Sequence, residues 1–310
     1  MRTCVLSLSL AAGLLVLGGC GFEFLGDSNR FKEDFHSSYP LKAGGRVSVE
    51  NFNGSVEVIG WEKDSVEISG TKHAATKALL DGIRIDVVAS TDAVRIRTSR
   101  PTERRGGAGA RMVLRVPFKT ELDRVETTNG SLRVEGTQGA ARLRTTNGSA
   151  HMSRMEGGID ATTTNGSVDL ADASGQAVLR TTNGSISVTG LRGALEASTT
   201  NGRIRARITE VPAGRPIKAS TTNGSIDLTL ETLKDNDVRA STSNGAITLR
   251  VPSSTNARVR AETSNSSVST DFEILMKGVI SKHHMDGTIG NGGPMFELST
   301  SNGSIKILKR

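Results

Sequence analysis

Hydrophobic residues in this chain recur in a fixed register about an asparagine. Before Asn223 stand Ile217, Ala219 and Thr221; before Asn244, Val238, Ala240 and Thr242; before Asn302, Phe296, Leu298 and Thr300. Counted from the asparagine, these −6, −4 and −2 positions alternate as one face of a strand does. After the Asn-Gly the parity flips, because Ile226 and Leu228, Ile247 and Leu249, and Ile305 and Ile307 sit at +3 and +5. One extra residue in an alternating pattern predicts a corner between two strands. Glycine at +1 suits that corner by taking a positive φ without a Cβ penalty.

The unit repeats. Thr-Thr-Asn-Gly-Ser occurs at 127–131, 145–149, 163–167, 181–185 and 221–225. Asn129, Asn147, Asn165, Asn183 and Asn201 follow one another at 18 residues, then come Asn223, Asn244, Asn265 and Asn302, with Asn53 in an early copy. A period near 20 marks a solenoid. Asn-Gly between alternating strands also signals a hairpin, but hairpins give no reason for one register in every repeat. The expected fold class is therefore all-β, a single-stranded parallel β-solenoid (β-helix) of 18–22-residue coils. At about 3.3 Å per residue the shortest coil has a perimeter under about 60 Å, which encloses a packed core and no channel. Strand parity groups the asparagine with the inward residues. Coils stacked at about 4.8 Å would then supply its amide partners as an inward ladder.

Organisation along the chain follows from where this pattern starts and stops. Residues 1–19 read as an export signal: Arg2, the apolar run Val5–Val16, then Leu17-Gly18-Gly19 before Cys20, too short a stretch for a membrane span. Residues 20–40 read as a tether, although its phenylalanines at 22, 24, 31 and 35 could equally pack on the first coil. Val47, Val49, Asn51, Asn53, Val56 and Val58 repeat the inward pattern, so coils begin there. The span 41–125 is expected to be an irregular β cap with the first coils, including a short helix within 72–81 and a flexible loop at 104–109. The regular body occupies 126–310, interrupted by a capping insert at 271–294. Lys309-Arg310 is expected to place charge on an exposed edge.

Composition narrows the function classes. The chain carries a formal charge of +7, or +6 once Arg2 is removed, with cations and acids interspersed. Aromatic residues are 3% of the total, too few for base-stacking platforms, which excludes nucleic acid as a partner. Two cysteines are present, and Cys4 lies within the signal, so no disulfide is expected and stability must come from stacking. No cofactor is implied. His283-His284 is a weak metal signal without further ligands. His151 and Asp169 stand at equivalent positions of adjacent coils, and without a nucleophile or oxyanion donor this is the pattern of a salt bridge. Arg205 is expected to pair with Asp227 across adjacent coils, and the stripe Arg203, Arg205, Arg207 reads as a solvated face. The threonine column at −1 could order water, but the adjacent −3 column is broken by Glu126, Arg144 and Arg180.

Leu-Gly-Gly-Cys resembles a bacterial lipobox, which implies that Cys20 is acylated and becomes the first mature residue. Gly21 in the next position implies an outer-membrane destination where a second membrane exists. The chain as a whole resembles the bacterial putative-adhesin family, a solenoid domain of unknown function. The resemblance rests on Val47–Val56 leading to Gly60-Trp61, on Arg115-Val116-Pro117, on the Thr-Asn-Gly repeats, and on Gly287–Gly290 through Ser299–Ile305. It covers about residues 41–310, and it carries over no catalytic residues. The reading that follows is a non-enzymatic lipid-anchored envelope protein, held by its N-terminal lipid and offering a surface to an envelope protein or glycan. The alternatives are a β-helix enzyme acting on acidic polysaccharide and an envelope-stress signalling partner.

Overall fold

Each regular coil contributes one strand to each of two sheets. In the coil around Asn165, Ile159–Thr162 lies in one sheet and Val168–Ser174 in the other. The computed structural model describes residues 30–102, 106–276 and 281–310. Among these, the sheet formed by strands preceding the asparagines (the front sheet) has fourteen strands and the other (the back sheet) thirteen. Successive coils pair in parallel: Ile159 with Ala177, Ala177 with Leu195, Leu195 with Ile217, Ile217 with Val238. The back sheet aligns Val168, Ile186, Ile204, Ile226 and Ile247 in the same way. The −6, −4, +3 and +5 residues meet between the sheets; Ile217, Ala219, Ile226 and Leu228 are all buried there. This is the all-β parallel solenoid that the period predicts, with two strands per coil.

The asparagine corner differs from expectation in two respects. The inward face ends at the −2 threonine: Thr127, Thr145, Thr163, Thr181, Thr199, Thr221, Thr242, Thr263 and Thr300 are buried. The chain turns immediately afterwards, so the extra residue falls before the asparagine. Asn129, Asn147, Asn165, Asn183, Asn201, Asn223, Asn244, Asn265 and Asn302 are therefore exposed, and Asn53 is half-buried. The glycine is also required for another reason than φ. The regular Asn-Gly glycines have no positive φ, but each lies flat against the corner before it, and a Cβ on Gly166 would stand 2.1 Å from the Gly148 carbonyl oxygen. A second corner closes the coil at Gly139, Gly157 and Gly175, whose φ values of 156°, 121° and 116° do need glycine. From Glu210 onward, longer loops replace this corner. Buried Asn236 joins them by donating to the Pro212 and Arg215 carbonyls at 2.7 and 3.1 Å.

Both ends of the stack are assembled out of chain order. The last coil is not terminal: Met295–Thr300 lies between Val238–Thr242 and Ala257–Thr263, and Ile305–Lys309 between Ile247–Val251 and Val268–Thr270. After Val251 the chain skips one coil height, lays down 257–270 and then returns to fill the gap. Lys309 is thus an inner-strand residue rather than an edge guard. The insert does cap the end, through His284–Ile289 and Ile274–Met276 added antiparallel to the front sheet; Val279 and Ile280 lie outside the described residues.

At the other end, the 46–61 coil is internal. Its outer neighbours are Ala93–Ser99 and Ala108–Pro117, its inner neighbours Glu121–Asn129 and Leu132–Glu135. The expected helix is Lys77–Asp81, capped by Thr76. The expected tether is shorter than 20–40, because Phe31–Pro40 is a ten-residue strand pairing antiparallel with Ser65–Ala74. Phe35 and Tyr39 pack on the main core. The signal segment and Cys20 lie outside the described residues, as do 104 and 105 of the expected 104–109 loop, whose last two residues belong instead to the strand Ala108–Pro117.

Candidate binding surface

The exposed asparagines form a continuous hydrogen-bonded ladder. Asn147 Nδ2 donates to Asn129 Oδ1 at 2.7 Å, and Asn165, Asn183, Asn201, Asn223 and Asn244 each donate to the coil before at 2.8–2.9 Å. Asn302 donates to Asn244 and Asn265 to Asn302, at 2.7 and 2.6 Å, so the ladder follows spatial order through the inserted coil. Asn53 is outside it: its amide turns to the Ala108 carbonyl at 2.7 Å. Beneath the ladder runs a second one that the hydrophobic pattern alone did not reveal. Each −2 threonine hydroxyl donates to the corner-glycine carbonyl of the preceding coil, as Thr163 does to Gly148 at 2.8 Å and Thr199 to Gly184 at 2.9 Å. The presence of threonine at every such inward position was the available signal, since a buried hydroxyl needs a partner.

Beside the ladder, Thr146, Thr164, Thr182, Thr200 and Thr222 point to solvent, giving the corner an exposed two-column polar edge. The flanking faces are laced with ion pairs. Glu50 lies 3.7 Å from Arg97 and 3.4 Å from Arg124; Glu135 meets Arg133 and Arg154; Glu231 meets Arg207 at 2.6 Å and Arg310 at 3.4 Å. The hydrogen bond from Arg207 holds the Glu231 carboxyl below its ordinary range, and the bond to Glu126 raises Arg124 further.

The sequence-predicted neighbours His151 and Asp169 are 3.1 Å apart. In the arginine stripe, Arg203 bonds to Ser225 and Arg207 to Glu231, while Arg205 stands in register beside Asp227. His283 contacts the Ser266 carbonyl and His284 reaches Glu262 at 3.4 Å. No group of three metal-capable side chains occurs among the described residues.

A concavity of about 680 Å3 sits where the ladder stops. The outer 93–117 coil has no Thr-Asn-Gly corner. Among the described residues, the lining of the concavity is Phe52, Asn53, Arg100–Thr102, Gly106–Ala108 and Asn129. Arg100 stacks over the Phe52 ring at 5.5 Å.

The sequence between residues 46 and 308 matches the family described as Toastrack DUF4097. No curated protein matches it. Crystal structures with a similar course include a putative lipid binding protein from Parabacteroides distasonis, 13% identical over 92% of this chain and 98% of that one, with a TM-score of 0.45. A putative adhesin from Bacteroides fragilis is 11% identical over 90% and 97%, with a TM-score of 0.37. A putative cell adhesion protein from Clostridium sporogenes is 11% identical over 90% and 100%, with a TM-score of 0.27.

Proposed function

The protein belongs to the Toastrack DUF4097 family, and from that premise we propose that it is a non-enzymatic, adhesin-like envelope protein, anchored through acylated Cys20, whose outer β faces bind a protein or glycan. What supports this reading is the state of the surface carboxylates. Glu50, Glu135 and Glu231 are each engaged by two arginines, and the hydrogen bond from Arg207 lowers the Glu231 pKa, favouring its ionised form. An acid–base pair acting on a glycosidic bond needs one carboxyl raised and protonated. Paired charges repeated at coil spacing instead give a stable, patterned surface, suited to recognition by complementary charge and hydrogen bonding.

The anchor and the binding role are tested together by crosslinking in intact cells followed by mass spectrometry, comparing the wild type with Cys20→Ser. Diacylated Cys20 by intact mass and a reproducible partner lost in the variant support the proposal. A mature chain cleaved without acylation would sink the anchor, and an absence of any partner above background, here and on a glycan array, would sink the recognition role.

A further inference from the structure

The asparagine corner is also a reactive one. In an Asn-Gly step the glycine nitrogen can attack the asparagine Cγ, closing a five-membered succinimide and expelling the side-chain amide as ammonia. Water then opens the ring to aspartate or isoaspartate. Glycine permits the closure because it has no Cβ and a wide choice of backbone angles, and such steps contribute to the thermolability of asparagine. The leaving amide is held alike in every coil of the body: Asn165, Asn183, Asn223 and Asn244 all donate to the coil before at 2.8–2.9 Å. The nucleophile is not.

Gly148 donates its N–H to the Asn165 carbonyl at 3.0 Å, and Gly166 and Gly184 donate to Asn183 and Asn201 at 3.1 Å. Asn165, Asn183, Asn201 and Asn223 return bonds to Thr146, Thr164, Thr182 and Thr200 at 2.8 Å. Backbone bridges therefore run from Asn147 to Asn223. Beyond Asn223 half of each bridge remains. Asn244 still donates to Thr222 and Asn302 to Ser243, both at 2.9 Å, but the Gly224 and Gly245 N–H groups have no acceptor among the described residues. Ring closure requires the glycine nitrogen to give up its proton and swing over its own asparagine side chain. An N–H held by the next coil can do neither without breaking a hydrogen bond. We infer that Asn223 and Asn244 are sites of deamidation in the folded chain, with water as co-reactant, while the stack protects Asn147, Asn165 and Asn183. Local sequence gives no reason for the split, since Asn183 and Asn223 share the pentapeptide Thr-Thr-Asn-Gly-Ser. The product would also cut the ladder. An aspartate at 223 still accepts from Asn244 but presents a charge and no donor to the Asn201 oxygen, its present acceptor.

The test uses the purified full-length protein, incubated folded in mildly alkaline buffer made with heavy-oxygen water and then digested with trypsin in ordinary water. Incorporated heavy oxygen marks deamidation that took place during the incubation. Each corner falls on its own peptide: Asn147 on 145–154, Asn183 on 181–192, Asn223 on 219–234 and Asn244 on 240–250. Asn223 and Asn244 should convert about tenfold faster than Asn147 and Asn183, the ratio that one hydrogen bond at the nucleophile sets. In denaturant Asn183 and Asn223 should react alike. Equal rates in the folded protein, or the same difference retained in denaturant, would overturn the inference. Hydrogen exchange on the same sample separates the corner from local opening of the stack. Matched protection of Ile204–Glu210 and Ile226–Leu230 supports the corner, whereas faster exchange of Ile226–Leu230 would assign the reactivity to fraying and overturn it.

Discussion

The Thr181 hydroxyl donates to the carbonyl of Gly166 in the preceding coil at 2.9 Å, beneath the outer bond from Asn183 to Asn165. The two ladders are one side chain apart and differ in solvent. Thr181 is buried and Asn183 exposed, so only the threonine leaves an orphaned carbonyl away from water when it is removed. Thr181→Val should cost about 1–2 kcal/mol, and Asn183→Ala about 0.5–1 kcal/mol because water replaces its partners. Denaturant midpoints at constant m-value measure both. A larger loss for Asn183→Ala would mean that the exposed amides, and not the buried hydroxyls, hold the coils together.

That inversion shows what the sequence could and could not convey. Strand parity is local, so Ile217, Ala219, Ile226 and Leu228 were placed in the core from spacing alone. The corner was not legible to a single residue, since parity fixes that one residue is extra and not on which side of the asparagine it falls. Asn129 through Asn302 were accordingly expected inside, although their hydrogen bonding to one another was foreseen. The out-of-order ends were hidden for a different reason. Parallel stacking constrains neighbours in space, and nothing local distinguishes a coil such as 295–309 laid on the end from the same coil slid into a gap. The hollow beside Asn129 was hidden with them, because it exists only where the 93–117 coil lands outside Asn53.

Glycine offers a paired test of the close-packed corner. A Cβ on Gly166 would stand 2.1 Å from the Gly148 carbonyl oxygen, whereas one on Gly158 meets nothing within 4 Å at an ordinary φ. Backbone on both sides of the first clash leaves no flexible group to yield. Gly166→Ala should therefore cost about 3 kcal/mol or more, while Gly158→Ala should stabilise by about 0.4–1 kcal/mol through the unfolded chain. Thermal midpoints of the two variants should move in opposite directions, and equal midpoints would refute backbone contact as the reason for glycine.

His73 introduces a pH dependence. Burial lowers its pKa from the ordinary 6.5, assisted by the charges of Arg111 and Lys32 and opposed by a backbone hydrogen bond at Thr71. The unfolded chain thus binds a proton more readily than the folded one. Its contribution to stability is complete above pH 6.5 and is lost as the pH falls through 6.5 and then through the lower folded value. Between pH 7.5 and 5.5 the melting temperature of the wild type should fall further than that of His73→Gln. Parallel curves would show that His73 is not the group responsible.

The inserted coil makes a sharper demand. Phe296 is fully buried and pairs in register with Val238 on one side and Val259 on the other, so it is the joint between the body and the terminal coil. In a stack where each coil touches only its neighbours, stability is a sum of coil and interface terms. Weakening this joint should therefore release what lies beyond it and spare what lies before. Phe296→Ala should cost about 3–5 kcal/mol. Hydrogen exchange should accelerate across Ala257–Thr263 and Ile305–Lys309 while Ile159–Thr162 and Val168–Ser174 keep their protection. Uniform acceleration along the chain would mean that the solenoid unfolds as one unit, and that the gap-filling coil is a lock for the whole stack.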